Sequence, residues 1–130
     1  MCIRDRVDRL HGELGISHFA MADTIGVGNE RSISDLFKTV INQFSELHIG
    51  AHLHSNPSDS AKKISAAFEA GCRAFDVAIN GLGGCPMAED ELVGNISTQA
   101  LFSTLSQENF WGIDLDSFSE AVEISRTVFP

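Results

Sequence analysis

ISHFAMADTIGVGNERSISDLFKTVINQFSELHIGAHLH, residues 16–54, decides the fold. Its opening, Ile16 to Ala22, is apolar almost throughout, the pattern of a parallel strand covered on both faces. Asp23 stands at the carboxyl end of that strand, and TIGVGN turns the chain. From Ser32 to Leu47, Ile33, Leu36, Phe37, Val40, Ile41 and Phe44 recur at helical spacing, with Ser32 or Ser34 as the cap. His48 to His54 is the next strand. Strand, helix and strand at this spacing form a parallel crossover unit.

The same alternation continues downstream. Asp59 to Ala70 reads as a helix stopped by Gly71, and Cys72 to Asn80 as a third strand. Ser97 to Leu105 is a further helix. Another runs from Asp116 to Val128, with Phe118, Ala121, Val122 and Ile124 turned inward. Upstream, VDRLHGELG is a helix end that stops at Gly15. The first six residues, MCIRDR, precede this pattern and resemble translated sequencing-adapter sequence, so residues 1–6 are expected to be an artefact and 7–130 the domain.

Composition narrows the class. With 130 residues, 43% hydrophobic and 21% charged, the chain reads as one soluble globular unit with one core. No apolar run approaches the roughly 20 residues of a membrane-crossing helix, and no secretory leader is visible, so an intracellular protein without a membrane partner is expected. A net charge of −9 with nine scattered Lys and Arg excludes a phosphate-binding surface for nucleic acid. Cys2, Cys72 and Cys85 form neither a disulfide framework nor a zinc-type pair, which fits a reducing compartment.

Two motifs carry chemistry. In AHLHS, His52 and His54 lie two apart, so on a strand both imidazoles point to one face and can share a metal ion. Taken alone the pair also reads as polar strand-end residues. In GLGGCPMAEDELVGN, Gly81 to Asn95, glycines let a ligand approach the backbone and Pro86 stiffens the exit, so the Cys85 thiol is presented rather than buried. The alternative for a lone cysteine is a small buried hydrophobe, a role that suits Cys72. Asp23 reads either as an active-site acid or as a turn-forming residue before Thr24 and Gly26. The run Glu89-Asp90-Glu91 reads as a solvated face.

Taken in order, MADTIGVGN, GAHLHS and GLGGCPMAEDELVGN resemble the carboxyl-terminal part of 3-hydroxy-3-methylglutaryl-coenzyme A lyase, in the metal-dependent (β/α)8-barrel lyase and synthase superfamily. The resemblance runs from about Val7 to the end. It implies an α/β fold, a partial TIM barrel comprising about strands six to eight with their helices and a carboxyl-terminal helix. A whole barrel takes about 250 residues, so the chain is expected to be part of one. Active sites of such barrels lie at the carboxyl ends of the strands, where Asp23, His52, His54, Asn80 and Cys85 all fall.

Residue by residue, the resemblance implies that His52 and His54 bind the metal and that Asn95 completes the shell through its carbonyl oxygen. The family's fourth ligand, an aspartate in an Arg-Asp pair on strand one, has no counterpart. Arg4-Asp5 imitates the pair but stands too close to His52 and is followed by Arg6 and Val7 instead of Gly and Gln. Such oxygen-rich shells suit Mg²⁺ or Mn²⁺. Cys85 matches the family's catalytic cysteine and Asp23 an aspartate at the active-site face of strand six; Cys85 and His52 are the candidates for the proton transfers. Asn80, Gly83 and Gly84 are expected at the substrate.

The implied reaction is retro-Claisen cleavage of 3-hydroxy-3-methylglutaryl-CoA to acetoacetate and acetyl-CoA, as in leucine degradation and ketone-body formation. An acyl-CoA substrate, a full-length homodimer, and a cytoplasmic (bacterial) or mitochondrial-matrix (eukaryotic) location go with it. The rivals are an aldol-type synthase of the isopropylmalate or homocitrate synthase kind, against which the GGCP loop argues, and a non-catalytic truncated chain.

Overall fold

The structure, a computed structural model, describes residues 2–84, 93–105 and 112–129. Helix α1 (Ile3–Leu14) leads into strand β1 (His18–Asp23), helix α2 (Glu30–Gln43), strand β2 (His48–Ser55), helix α3 (Ser60–Glu69) and strand β3 (Ala74–Phe75). β2 lies between β1 and β3 and is parallel to both. A 3-10 turn at Ile79–Gly81 follows, then strand β4 (Gly94–Asn95), antiparallel to the end of β2, and helices α4 (Thr98–Leu105) and α5 (Leu115–Val128).

Helix ends follow local chemistry. Gly15 takes φ 66° and its N–H donates to the His11 carbonyl, which closes α1 where the sequence placed its stop. Ile3 to Arg6, within the stretch set aside above, form the first turn of α1, and the Asp5 carboxylate accepts the Cys2 amide at 2.8 Å. For α2 the cap is Asn29, not Ser32 or Ser34. The Asn29 side chain accepts from the Ser32 amide and the Ser32 hydroxyl accepts from the Asn29 amide, both at 3.0 Å, so Ser32 is the reciprocal partner of a capping box. α2 also ends at Gln43, short of Leu47. The His48 amide already bonds to the Ser17 carbonyl, and the intervening residues turn the chain into the sheet.

One core holds these elements together. Ile33, Phe37 and Val40 on α2 and Ile64 and Ala67 on α3 are buried in the same cluster as Ile49, Ala51 and Leu53 on β2. Removing a side chain the size of Phe37 from water contributes roughly 1.5–3 kcal/mol. Ile96 and Leu101 extend the cluster to α4.

The opposite face of the sheet is different. Register pairs His18, Ala20 and Ala22 of β1 with His48, Gly50 and His52 of β2. His18, Ala20 and Ala22 are exposed, so β1 is covered on one face and not on both. Its apolar run owes much to alanines, which read as hydrophobic but bury little area. His18 and His48 stack there with ring centroids 4.3 Å apart.

Two other expectations are corrected. The third strand is Ala74–Phe75, not Cys72 to Asn80. Asp76 still donates its amide to Ala51, but Ala78 then pairs with Ser97 and bonds to Ile96 and Thr98, so the strand-like segment changes partner and leaves the sheet. In α5, Val122 is buried and Phe118 and Ala121 are half-buried, whereas Ile124 is 54% exposed. Ile124 lies two residues past Val122, about 200° around the helix and off the inward stripe. Phe118 meets Phe102 of α4 edge to face, centroids 4.8 Å apart.

Candidate functional site

The strands present their carboxyl ends together, and Asp23, His52, His54 and Asn95 gather there. Asp23 ends β1, His52 and His54 lie in the last half of β2, and Asn95 on β4 stands opposite His54 in the antiparallel register. The rings of His52 and His54 lie 5.0 Å apart, edge to face. The two imidazoles share a face, as their spacing predicted.

Each imidazole turns Nδ1 toward oxygen. His54 Nδ1 lies 3.0 Å from the Asp23 carbonyl oxygen. A carbonyl only accepts, so in the neutral ring Nδ1 carries the proton and the lone pair falls on Nε2. His52 Nδ1 lies 3.5 Å from the Asp76 carboxylate. Histidines that bind metals are oriented in this way, by a carbonyl or carboxylate on the far nitrogen. His54 is 5% exposed, while the His52 side chain is 40% exposed.

Asn95 donates its side-chain amide to the Leu82 carbonyl at 2.9 Å, and its backbone amide bonds to the Gly83 carbonyl. With the nitrogen so used, the side-chain oxygen is the atom suited to ligation. Gly81 takes φ 67°, and a Cβ added there would stand 2.8 Å from the Asn95 carbonyl oxygen, so the turn packs directly on β4. Two imidazoles and an amide oxygen fit a divalent cation with further oxygen ligands. Among the described residues no group of three or more His, Cys, Asp or Glu could hold a metal ion by itself.

Asp23 takes the turn role and something more. Its carbonyl accepts the Gly26 amide, and its Oδ2 accepts from the Gly28 amide at 2.9 Å and from Lys63 Nζ at 3.1 Å. Asn80, in the left-handed region at φ 58°, gives Nδ2 to Ser125 and accepts from Gln99 on Oδ1, both at 2.6 Å. Together with Gly83, Gly84 and Asn95 it lines a cleft of about 560 Å³. Cys85 and Glu89-Asp90-Glu91 lie outside the described residues. Cys72 is fully buried, its thiol 3.1 Å from the Ala74 carbonyl, and burial pushes that thiol up to about 11.

Sequence reasoning missed Lys63 and Asp76. Lys63 had a signal, since Ser60, Lys63, Ile64 and Ala67 form one inward stripe and a lysine there demands partners. Asp76 follows β3 as Asp23 ends β1, an acidic residue at a strand end.

A family model described as HMGL-like matches residues 5–128. The chain belongs to the HMGL-like family. It is 32% identical over 116 residues to the cytoplasmic 3-hydroxy-3-methylglutaryl-CoA lyase of Mus musculus, a match covering 88% of this chain and 33% of the mouse protein. To the (R)-citramalyl-CoA lyase of Chloroflexus aurantiacus it is 31% identical over 112 residues, covering 84% of this chain and 34% of that one. The solved HMG-CoA lyase of Brucella melitensis superposes with a TM-score of 0.80 at 28% identity, over 96% of this chain and 44% of the other. An HMG-CoA lyase of Acinetobacter baumannii, in complex with coenzyme A and 3-methylmalate, gives 0.75 at 29% identity, over 91% of this chain and 39% of the other. This HMGL-like chain is α/β with a parallel sheet, a part of the TIM barrel of those lyases. It spans about a third of the length of the curated relatives it matches. No helix among its described residues is long and apolar enough to cross a membrane.

Proposed function

We propose that this chain carries the histidine platform of a metal-dependent carbon–carbon lyase acting on an acyl-CoA thioester, and that the substrate is 3-hydroxy-3-methylglutaryl-CoA, cleaved to acetyl-CoA and acetoacetate. The observation that supports it most is the pair His52 and His54, rings 5.0 Å apart on one face, with Nδ1 of each turned to an oxygen so that Nε2 is available to a cation. His52, His54 and the Asn95 oxygen are the proposed ligands. An ion bound there, Mg²⁺ or Mn²⁺, would supply Lewis acidity and a template at the tertiary alcohol.

The chain's own residues then have defined tasks. Cleavage requires a base for the hydroxyl proton and an acid for the carbon of the departing acetyl thioester. Cys85 and His52 are proposed for that proton traffic. Asp23 holds the β1 turn in place through the Gly26 and Gly28 amides, and Gly83 and Gly84 leave their backbone open to substrate. The 31% identity to a citramalyl-CoA lyase supports a second reading, the same platform with a different 3-hydroxyacyl-CoA.

The test is an assay of the full-length enzyme with Mn²⁺ and each substrate in turn. Acetoacetate from 3-hydroxy-3-methylglutaryl-CoA is the expected result. Cleavage of citramalyl-CoA alone would transfer the assignment to the second reading, and condensation of acetyl-CoA with a 2-oxo acid would overturn both. The 130-residue chain by itself is expected to be inactive, because the arginine-aspartate strand lies outside it.

A further inference from the structure

We infer that Lys63 is a positioning residue of the histidine platform: its ammonium ties the end of β1 to the end of β2 and thereby fixes the direction of the His54 imidazole. The inference rests on the proposed metal role of His54 and adds a residue to it.

Lysine is almost never fully buried unless paired. Lys63 is 5% exposed. Its ammonium has three N–H donors and no acceptor, and three oxygens surround it: Asp23 Oδ2 at 3.1 Å, the Gly26 carbonyl at 2.8 Å and the His54 carbonyl at 2.8 Å. Every donor is used. No N–H is left for an anionic substrate group, although the side chain borders a cleft of about 350 Å³ formed with Gly26 to Glu30 and Ser55.

The contacts close a ring. Lys63 holds the His54 carbonyl and the Asp23 carboxylate, while the Asp23 carbonyl receives the His54 Nδ1 proton. Releasing the ammonium would leave the imidazole as the one remaining side-chain tie in this ring, beside the β1–β2 ladder that ends at Asp23 and Leu53. A second observation points the same way: a Cβ added to Gly26 would lie 3.3 Å from the His54 carbonyl oxygen, so the β1 turn is drawn tightly onto the β2 end at the place where Lys63 bonds to both.

The test uses the full-length enzyme, with ¹⁵N-labelled histidine at pH 8 and no metal, followed by Mn²⁺ titration. Lys63→Met keeps the aliphatic stem and removes all three donors. The His54 ring is expected to pass from one Nδ1–H tautomer to a mixture, and Mn²⁺ affinity to fall about 10-fold or more, as for other groups that orient a ligand. Lys63→Arg, which restores a cation with donors, should recover part of both. Should Lys63→Met fail to fold, Asp23→Asn removes the ion pair and is expected to give the same tautomer shift. A folded Lys63→Met protein with the His54 tautomer and Mn²⁺ affinity of the parent would overturn the inference. A full-length parent that binds no Mn²⁺ would instead remove the metal reading, and the tautomer comparison would still decide the positioning role.

Discussion

The Gly28 amide donates to Asp23 Oδ2 at 2.9 Å, and a Cβ added to Gly28 would stand 2.9 Å from that same oxygen. Donor and crowding coincide, so Gly28 is required for space and not for an unusual backbone angle. Gly28→Ala should push the carboxylate off the amide and loosen its pair with Lys63. The expected loss is about 1–3 kcal/mol, the usual cost of overpacking, read as a lowered denaturation midpoint with an unchanged slope. An unaltered midpoint would show that the carboxylate can move without consequence.

His52 and His54 should separate in a way that shared ligation alone does not predict. In the full-length enzyme, either histidine to Ala is expected to abolish tight Mn²⁺ binding. Only His54→Ala should also destabilise the fold, by about 1 kcal/mol or more, because that ring is buried and bonded across to Asp23. The His52 side chain is 40% exposed, and its removal should leave the melting temperature nearly unchanged. Calorimetry with and without Mn²⁺ reads both effects.

Cys72 is expected to resist alkylation in the native chain while the exposed Cys2 reacts. Desolvation raises the Cys72 thiol in the folded state from 9.0 to about 11, so the folded chain holds that proton more tightly than the unfolded one. Its contribution to stability is therefore complete below about pH 9 and is lost as pH rises toward 11. Cys72→Ala should flatten the alkaline limb of the stability profile. A native-state reaction of Cys72 with iodoacetamide at pH 8 as fast as that of Cys2 would contradict the burial.

Cys85 is the residue whose proposed chemistry would separate the lyase reading from the synthase one. In the full-length enzyme, Cys85→Ala should lower turnover by roughly 10²-fold or more if the thiol transfers a proton, with Mn²⁺ affinity unchanged. Full turnover in that variant would make the cysteine structural and withdraw the main sequence argument for the lyase.

Much of this was legible in the sequence because it depends on local pattern. The Ile33, Phe37, Val40 stripe marks α2, and the two-residue spacing of His52 and His54 puts both rings on one face. Where the chain changes partner, local pattern fails. Residues after Phe75 keep a strand-like sequence but pair with the segment around Ser97, a choice made by distant residues. The Asp23–Lys63 pair spans 40 positions and depends on how α3 lies against the β1 turn. Likewise, Asn29 and Ser32 both suit a cap, and only the backbone geometry shows which one starts α2.

The Asn95 amide on the Gly83 carbonyl clasps the two ends of one connection side by side. A connection whose ends are already held together has little further influence on its surroundings through its length. Closure entropy grows only with the logarithm of the number of residues, about 0.6 kcal/mol for each doubling. By that term alone, the number of residues between the clasp's two sides does little to the station of Asn95 opposite His54.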